Sequence, residues 1–397
     1  MADLSGSGSG KSSTGGAGRQ SILKPGGFKS AHLRGSPSCH EILPRLYLGD
    51  YHTAVNKDEM IRLGITDMVT AEIKPIPPME MADCIKRYLY INVMDHPKQD
   101  ILSHFEVSNE FINNALRDPA NKIYVHCVAG ISRSASLVIA YIMQSRRMNY
   151  AEAHGLVSKK RSFIDPNEGF TRQLKLWHKM HYSIDLTNIE YRRVVLDALV
   201  FEFRLIALSY YQVEGSKSTL GFVGTSASTT RANIIQIPVH SNRLIGNRDS
   251  IGLLFDQYYS KLHLQQVAAY AKAYDPKAAH RCKKCRAIVF YAISIIENAA
   301  ENNANQQSST PTTSSRTMTT GQQGKALANT CPFVFIEPQP WMSKNILERD
   351  GDLECYKCKV RLGKFDWTGG ESCSCELHSP HINHNLFKII KKKIDLS

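Results

Sequence analysis

The 397-residue chain lacks a long, uncharged apolar run of the kind that a membrane-spanning helix requires. Its most apolar stretch, residues 194–211, is interrupted by Asp197, Glu202 and Arg204. The first residues are rich in Ser and Gly and have no apolar core, which is not typical of a secretory signal. We therefore expect a protein of the cytoplasm and nucleus that has no membrane partner.

Cysteine is scarce in the first 280 residues, where only Cys39, Cys84 and Cys127 occur. The other seven cysteines are crowded between positions 282 and 375. In a chain without a secretory signal, such crowding is typical of metal binding rather than of a disulfide framework. The C-terminal part is therefore a candidate metal-binding domain.

The formal net charge is +13, and the basic residues are spread along the chain rather than gathered in one stripe. A positive excess favours acidic partners such as phosphoproteins or RNA. The basic tail is compatible with contact to rRNA, although such a run is more often a solvated end. Its residues are Lys388, Lys391, Lys392 and Lys393.

Composition divides the chain into four parts. Residues 1–37 are predicted to be a disordered Ser/Gly-rich tail, and residues 38–182 to be the catalytic domain. Residues 183–277 are predicted to be a helical and flexible linker region. Residues 278–397 are predicted to be a small zinc-stabilised domain with a disordered polar insertion at 297–330.

Apolar spacing between residues 38 and 182 alternates between strand and helix periods, which predicts an α/β fold. Its mainly parallel central sheet should be flanked by helices on both faces. Predicted strands cover residues 41–49, 66–70, 88–93 and 122–125. Predicted helices cover residues 58–63, 103–117, 134–147, 150–160 and 167–181. The linker region should contain two further helices, at 189–211 and 251–274, and we expect the first to pack against the catalytic domain.

The most informative segment is Val125–Ser134, with the sequence VHCVAGISRS. A predicted strand ends at Cys127 and a helix begins near Arg133, so the five intervening residues form a loop whose N–H groups can surround an oxyanion. The helix N-terminus adds partial positive charge there. Both effects favour the thiolate form of Cys127, which can attack phosphorus and give a phosphocysteine intermediate.

The other residues of this segment have predicted roles around the same phosphate. The planar guanidinium of Arg133 suits bidentate contact to two phosphate oxygens. Gly130 permits a turn that a side chain would obstruct, and Ser134 can donate a hydrogen bond to the Cys127 sulfur as it leaves. The predicted phosphate-binding residues are Val128, Ala129, Gly130, Ile131, Ser132 and Arg133.

The leaving group needs a proton, so a carboxylic acid must reach the pocket. Asp95 and Asp100 both lie in the polar loop that follows the strand ending at Val93. We assign Asp95 as the general acid because it lies just beyond the strand end. Asp100 precedes a predicted helix and is the more natural helix cap.

Residues 40–182 resemble the dual-specificity phosphatases in three segments: LYLG at 46–49, HCVAGISRS at 126–134 and PNEGF at 166–170. This resemblance implies a protein tyrosine phosphatase-like fold and the roles given above for Cys127, Arg133, Asp95 and Ser134. It also implies hydrolysis of phospho-Tyr and phospho-Ser/Thr in phosphoprotein substrates, with no cofactor for catalysis. The loop has no Lys, which disfavours inositide substrates.

The C-terminal cysteines include two Cys-x2-Cys pairs, a spacing that suits tetrahedral zinc. A tetrahedral site has four ligands, so seven thiolates are more than one site needs and one fewer than two structural Zn²⁺ sites need. The eighth ligand could be His378, His381 or His384, of which we choose His384. The predicted metal ligands are Cys282, Cys285, Cys331, Cys355, Cys358, Cys373, Cys375 and His384.

The order of these motifs resembles the Yvh-type subgroup of the phosphatases, supported by FIEP at 335–338 and by FDW at 365–367. That resemblance implies a role of the zinc domain in maturation of the large ribosomal subunit, with a pre-ribosomal particle or rRNA as partner. Two alternatives remain open. One is a ribosome-assembly factor whose binding role is independent of catalysis, and the other is an RNA 5′-triphosphatase.

Overall fold

The computed structural model describes residues 38–214, 234–236, 278–296, 332–342, 350–367 and 387–395. The N-terminal tail, the predicted helix at 251–274 and the predicted insertion at 297–330 lie outside these residues. The first part of the chain forms strands β1 to β5 and helices α1 to α6. In chain order they are β1 (Cys39–Leu43), β2 (Leu46–Gly49), α1 (Tyr51–Ala54), α2 (Lys57–Leu63), β3 (Asp67–Glu72), β4 (Arg87–Asn92), α3 (Phe105–Arg117), β5 (Ile123–His126), α4 (Arg133–Arg146), α5 (Tyr150–Lys160) and α6 (Glu168–Lys179).

Helix α7 (Ile189–Glu214) and strand β6 (Ile234–Gln236) follow, and β6 completes a six-stranded sheet of order β1-β2-β5-β3-β4-β6. All neighbours in this sheet are parallel except β1 and β2. Alternate side chains of β3 enter two separate cores: Val69 lies with α3–α6 on one face, and Met68 lies with α1 and α2 on the other. The predicted α/β fold with helices on both faces is confirmed.

The prediction of one strand over residues 41–49 is wrong, because the chain reverses between β1 and β2, which pair antiparallel. Arg45 takes the left-handed backbone conformation at this turn, with φ 70°. Its guanidinium donates to the carbonyl oxygens of Leu116, Asp118 and Asn121. These distant acceptors stabilise a turn whose left-handed residue is neither Gly nor Asn, and Pro44 is the turn's local sequence signal.

Helix α7 begins where it was predicted and packs on the catalytic domain as expected. Tyr191, Val195, Leu199 and Phe203 are buried in the same core as α3–α6. None of the helices that the structure describes combines the length with the apolar composition of a membrane-spanning segment.

The C-terminal part contributes two antiparallel sheets to the same continuous core. The strands are β7 (Ala279–Cys282), β8 (Ile288–Tyr291), β9 (Phe333–Phe335), β10 (Asp350–Glu354), β11 (Arg361–Asp366), β12 (Phe387–Ile390) and β13 (Ile394–Asp395). The order is β13-β7-β8 in one sheet and β10-β11-β12-β9 in the other. Arg192 of α7 forms a fully buried ion pair with Glu337, which ties this part to the catalytic domain.

Candidate active site and metal centre

Parallel strands β3, β4 and β5 end at one edge of the sheet, and the candidate site lies there. Cys127 follows β5 directly and is 2% exposed. Its sulfur accepts hydrogen bonds from the backbone N–H of Gly130 and the hydroxyl of Ser134, each at 3.2 Å. Donors on two sides stabilise negative charge on the sulfur, as a nucleophilic thiolate requires.

Arg133 begins α4 and reaches back across the ends of the neighbouring strands. Its Nη1 lies 2.9 Å from Oε1 of Glu72, the last residue of β3, and 3.3 Å from the carbonyl oxygen of Val93. Its Nε is buried and has no hydrogen-bond partner among the residues that the structure describes. Because a buried cationic donor is costly to leave unpaired, this nitrogen favours an anion in the pocket.

Asp95 lies beside the loop that follows Cys127. Its Oδ1 accepts hydrogen bonds from Ser132 Oγ at 2.7 Å and Asn167 Nδ2 at 2.8 Å. Its Oδ2 lies 3.9 Å from Nε of Arg133, and the side chain remains 33% exposed. Asp100, by contrast, is buried and accepts a hydrogen bond from the backbone N–H of Ser103, as expected of a cap. The structure therefore brings Asp95 to the loop, and its role as general acid stays a prediction.

The loop is supported from behind by Arg161, a fully buried residue that the sequence analysis did not single out. Its guanidinium donates to the carbonyl oxygens of Ala129 and Gly130 at 2.9 and 2.8 Å. Because these carbonyl oxygens point toward Arg161, the N–H groups of the loop can face the opposite side. Val128, at 47% exposure, stands at the outer rim. In sequence, Arg161 ends a run of three basic residues at a helix end, which is typical of a solvated helix terminus.

Gly130 has no room for a side chain. Its φ is +66°, and a Cβ there would lie 2.6 Å from Arg161 Nη2 and equally close to the carbonyl carbon of Gly49. We expect Gly130→Ala to lower kcat/KM for phosphate ester hydrolysis at least about 100-fold, since the oxyanion donors would be displaced. Gly155→Ala is the matched control, because a Cβ on Gly155 meets no atom of the described residues within 4 Å. Equal activity of both variants would contradict the close packing of the loop.

His126 is fully buried beneath the loop, with Nε2 at 2.7 Å from Thr70 Oγ1 and Nδ1 at 3.3 Å from the carbonyl oxygen of Cys127. Burial lowers the pKa of His126 to about 4, so the ring is neutral at pH 7. The folded state then binds fewer protons than the unfolded state between pH 6.5 and 4. The free energy of unfolding should therefore fall across this window as the pH is lowered.

We expect this loss to be on the order of 3 kcal/mol for the native chain. In His126→Asn, the free energy of unfolding should fall less over the same decrease in pH, because asparagine does not titrate. Urea unfolding of both proteins at pH 7 and pH 4 measures the difference. An identical pH dependence would show that His126 is not the group responsible.

A second cluster is formed by Cys282, Cys285, Cys355 and Cys358, whose four sulfur atoms lie within 4.8 Å of one another. The two pairs have the same local geometry. In each turn, the residue after the second cysteine, Arg286 or Lys359, has a positive φ, 62° and 59°. In each, the N–H of that residue donates to the carbonyl oxygen of the first cysteine.

Four thiol groups that converge from two turns fit a tetrahedral metal ion with soft ligands. The cluster can therefore bind a metal, and zinc remains the predicted ion. Of the predicted ligands, the remaining four fall outside the described residues. They are Cys331, Cys373, Cys375 and His384.

Comparisons with known proteins point to one family. A family model for the catalytic domain of dual specificity phosphatases matches residues 46–180. The chain is 28% identical over 374 residues to Dual specificity protein phosphatase MPK-4 of Drosophila melanogaster, covering 91% of this chain and 89% of that protein. It is 28% identical over 336 residues to Dual specificity protein phosphatase 12 of Mus musculus, covering 84% and 83%. It is 41% identical over 145 residues to Dual specificity protein phosphatase 26 of Bos taurus, covering 35% and 68%.

Proposed function

We propose, since this chain belongs to the dual-specificity phosphatase family and is a protein phosphatase, that it hydrolyses phospho-Tyr and phospho-Ser/Thr esters through a phosphocysteine intermediate. One observation carries the proposal. The Cys127 sulfur, the guanidinium of Arg133 and the carboxylate of Asp95 meet at one loop, in which the backbone N–H of Gly130 points to the sulfur. This is the arrangement that in-line transfer of a phosphoryl group requires.

In the first step, the Cys127 thiolate attacks phosphorus, so an S–P bond forms while the ester P–O bond breaks. Asp95 gives its proton to the leaving oxygen. Arg133 and the loop N–H groups bind the equatorial oxygens, on which charge accumulates. In the second step, Asp95 accepts a proton from water, the water oxygen attacks phosphorus and the S–P bond breaks. Ser134 stabilises the departing thiolate, and inorganic phosphate is released.

Two further features support a peptide substrate. A groove of about 420 Å³ opens next to the loop, between Tyr51, Ile73 and Val128, and has room for residues that flank a phosphorylated side chain. The phosphate-binding loop carries no Lys and offers a substrate with several phosphates no cation beyond Arg133, while Lys74 lines the neighbouring groove. A protein monoester fits both features better than a polyphosphorylated lipid.

Dual specificity is tested with matched phospho-Tyr and phospho-Thr peptides of one sequence, with Cys127→Ser as the blank. We expect phosphate release from both. Release from the phospho-Tyr peptide alone would contradict dual specificity while leaving the mechanism intact. Faster release from triphosphate-ended RNA than from either peptide would favour the RNA 5′-triphosphatase alternative.

For the C-terminal part we propose zinc binding, two structural ions per chain, and contact with rRNA or a pre-ribosomal particle during maturation of the large subunit. The supporting observation is a basic surface beside the metal cluster. The backbone N–H of Lys283 donates to the carbonyl oxygen of Lys393, which brings two exposed lysine pairs together. The pairs are Lys283 with Lys284 and Lys392 with Lys393.

Lysines at this density attract phosphates in a salt-dependent way. Changing all four to alanine should weaken binding to rRNA and reduce its salt dependence, whereas Cys127→Ser should not. In cells that depend on this protein, rescue of ribosome profiles by Cys127→Ser but not by the lysine variant would favour an assembly role independent of catalysis. The opposite pattern would contradict the assembly role. The proposal also requires the protein in both nucleus and cytoplasm, which fluorescent tagging tests.

A further inference from the structure

The loop that carries Asp95, residues 94–100, is held on one side by helix α7. The ring of Phe201 stacks on the ring of His96, with centroids 4.0 Å apart and an interplanar angle of 12°. Burial lowers the pKa of His96 from its usual value, so the ring is largely neutral at pH 7 and stacks as an aromatic group. The neighbour of Asp95 is therefore held in place by α7.

A second contact from α7 sets the orientation of one amide inside this loop. Glu202 Oε1 accepts a hydrogen bond from Gln99 Nε2 at 3.2 Å. The carbonyl oxygen of the same amide, Gln99 Oε1, accepts from the backbone N–H of Met94 at 3.1 Å. An ionised Glu202 can accept a hydrogen bond but cannot donate one. It therefore selects the amide orientation of Gln99 in which Oε1 faces Met94. Met94 is the residue directly before Asp95.

On its other side, α7 is held by the C-terminal part. Phe203 stacks on Trp367, with ring centroids 4.4 Å apart and an interplanar angle of 19°. Both rings are buried, at 4% and 1% exposure. Arg192, lower on the same helix, makes the buried ion pair with Glu337. Consecutive residues of one helix, 201 to 203, thus contact the Asp95 loop and the C-terminal part.

We propose that Phe201 and Glu202 are positioning residues that hold Asp95 over the Cys127 loop, and that the C-terminal part supports this through Phe203. The inference rests on the proposed function, because it assigns α7 a role in the proton transfer by Asp95. Neither residue touches the substrate. Their effect should therefore appear in protonation of the leaving group rather than in binding of phosphate.

Two aryl phosphates separate these effects in the full-length protein. p-Nitrophenol leaves readily without a proton, whereas phenol is a poor leaving group and needs one. We expect Phe201→Ala and Glu202→Ala to lower kcat/KM for phenyl phosphate about tenfold, and for p-nitrophenyl phosphate about twofold at most. Asp95→Asn should show the same selectivity more strongly. Trp367→Ala should show it more weakly, through Phe203.

The ratio of the two kcat/KM values is independent of the folded fraction, because a loss of active protein lowers both equally. Phe201→Tyr keeps the ring and should restore the native ratio. Glu190→Gln and Leu205→Ala are controls on the same helix, since Glu190 pairs with Lys179 and Leu205 is exposed. Both should keep the native ratio.

An unchanged ratio in Phe201→Ala and Glu202→Ala, with or without a general loss of rate, would overturn the positioning role and leave the phosphatase mechanism standing. A native protein that releases no phosphate from either ester would overturn the proposed function, and the inference with it. A changed ratio in the Glu190 or Leu205 control would also overturn it, because the effect would then not be confined to the residues that touch the loop.

Discussion

Replacing Cys127 with serine should abolish measurable phosphate release, with a decrease in kcat of at least about 10⁴-fold. The reason is chemical rather than steric. A serine hydroxyl fits where the thiol lies, but it is a much weaker acid. Two hydrogen-bond donors and a helix N-terminus are therefore not enough to convert it to an alkoxide. The hydrolysis of p-nitrophenyl phosphate measures the loss directly.

Cys84→Ser is the matched control, since Cys84 is partly buried beside the core of α1 and α2, whereas Cys127 belongs to the other core. It should keep native turnover. Quenching the native reaction with acid should trap phosphate on the protein, and Cys127→Ser should trap none. Native turnover in Cys127→Ser would remove the proposed mechanism entirely.

Removal of metal from the cluster formed by Cys282, Cys285, Cys355 and Cys358 should unfold the turns that carry these residues. Structural zinc sites contribute about 10 kcal/mol or more of binding free energy, and that free energy is coupled to folding. We expect a chelator to abolish amide protection in β7, β8, β10 and β11 as measured by hydrogen exchange. The central strands β3, β4 and β5 should stay protected, because they pair with one another in a separate sheet and none of the four cysteines lies on them.

Cys358→Ser should give the same pattern without chelator, and Cys84→Ser should not. Mass spectrometry under native conditions counts the ions. Two zinc ions in the native chain and one in Cys358→Ser would agree with a second site built from the ligands outside the described residues. Full protection after chelation, at zero bound metal, would contradict a structural role for the cluster.

Much of the active site could be predicted because its parts are close together in the chain. Four of its residues lie within eight consecutive positions: Cys127, Gly130, Arg133 and Ser134. The transition from strand to helix around them follows from apolar spacing. Asp95 was distinguished from Asp100 by its distance from the preceding strand. The paired spacing of the cysteines likewise indicated two turns that each offer two thiolates.

The residues that support the site were missed because their contacts are long-range. Glu72 reaches Arg133 only because β3 and β5 are neighbours in the sheet, and Arg161 reaches the loop across 31 positions. Both are charged residues at the end of a strand or helix, where a charged residue is common and does not by itself indicate a role. The hairpin at Arg45 is also stabilised by acceptors more than 70 positions away, although Pro44 marks its turn locally.

By itself, the sequence predicted the groups of the proposed chemistry, each within a short stretch of chain: a nucleophile, an oxyanion loop, a proton donor and paired metal thiolates. The tertiary structure alone decided what holds these groups in place. Helix α7 was predicted as an apolar helix that packs on the catalytic domain, but no local pattern assigns the residues that it contacts. Packing brought the Asp95 loop to Phe201 and Trp367 to Phe203, because adjacent residues on a helix point in different directions and can each bury a different partner.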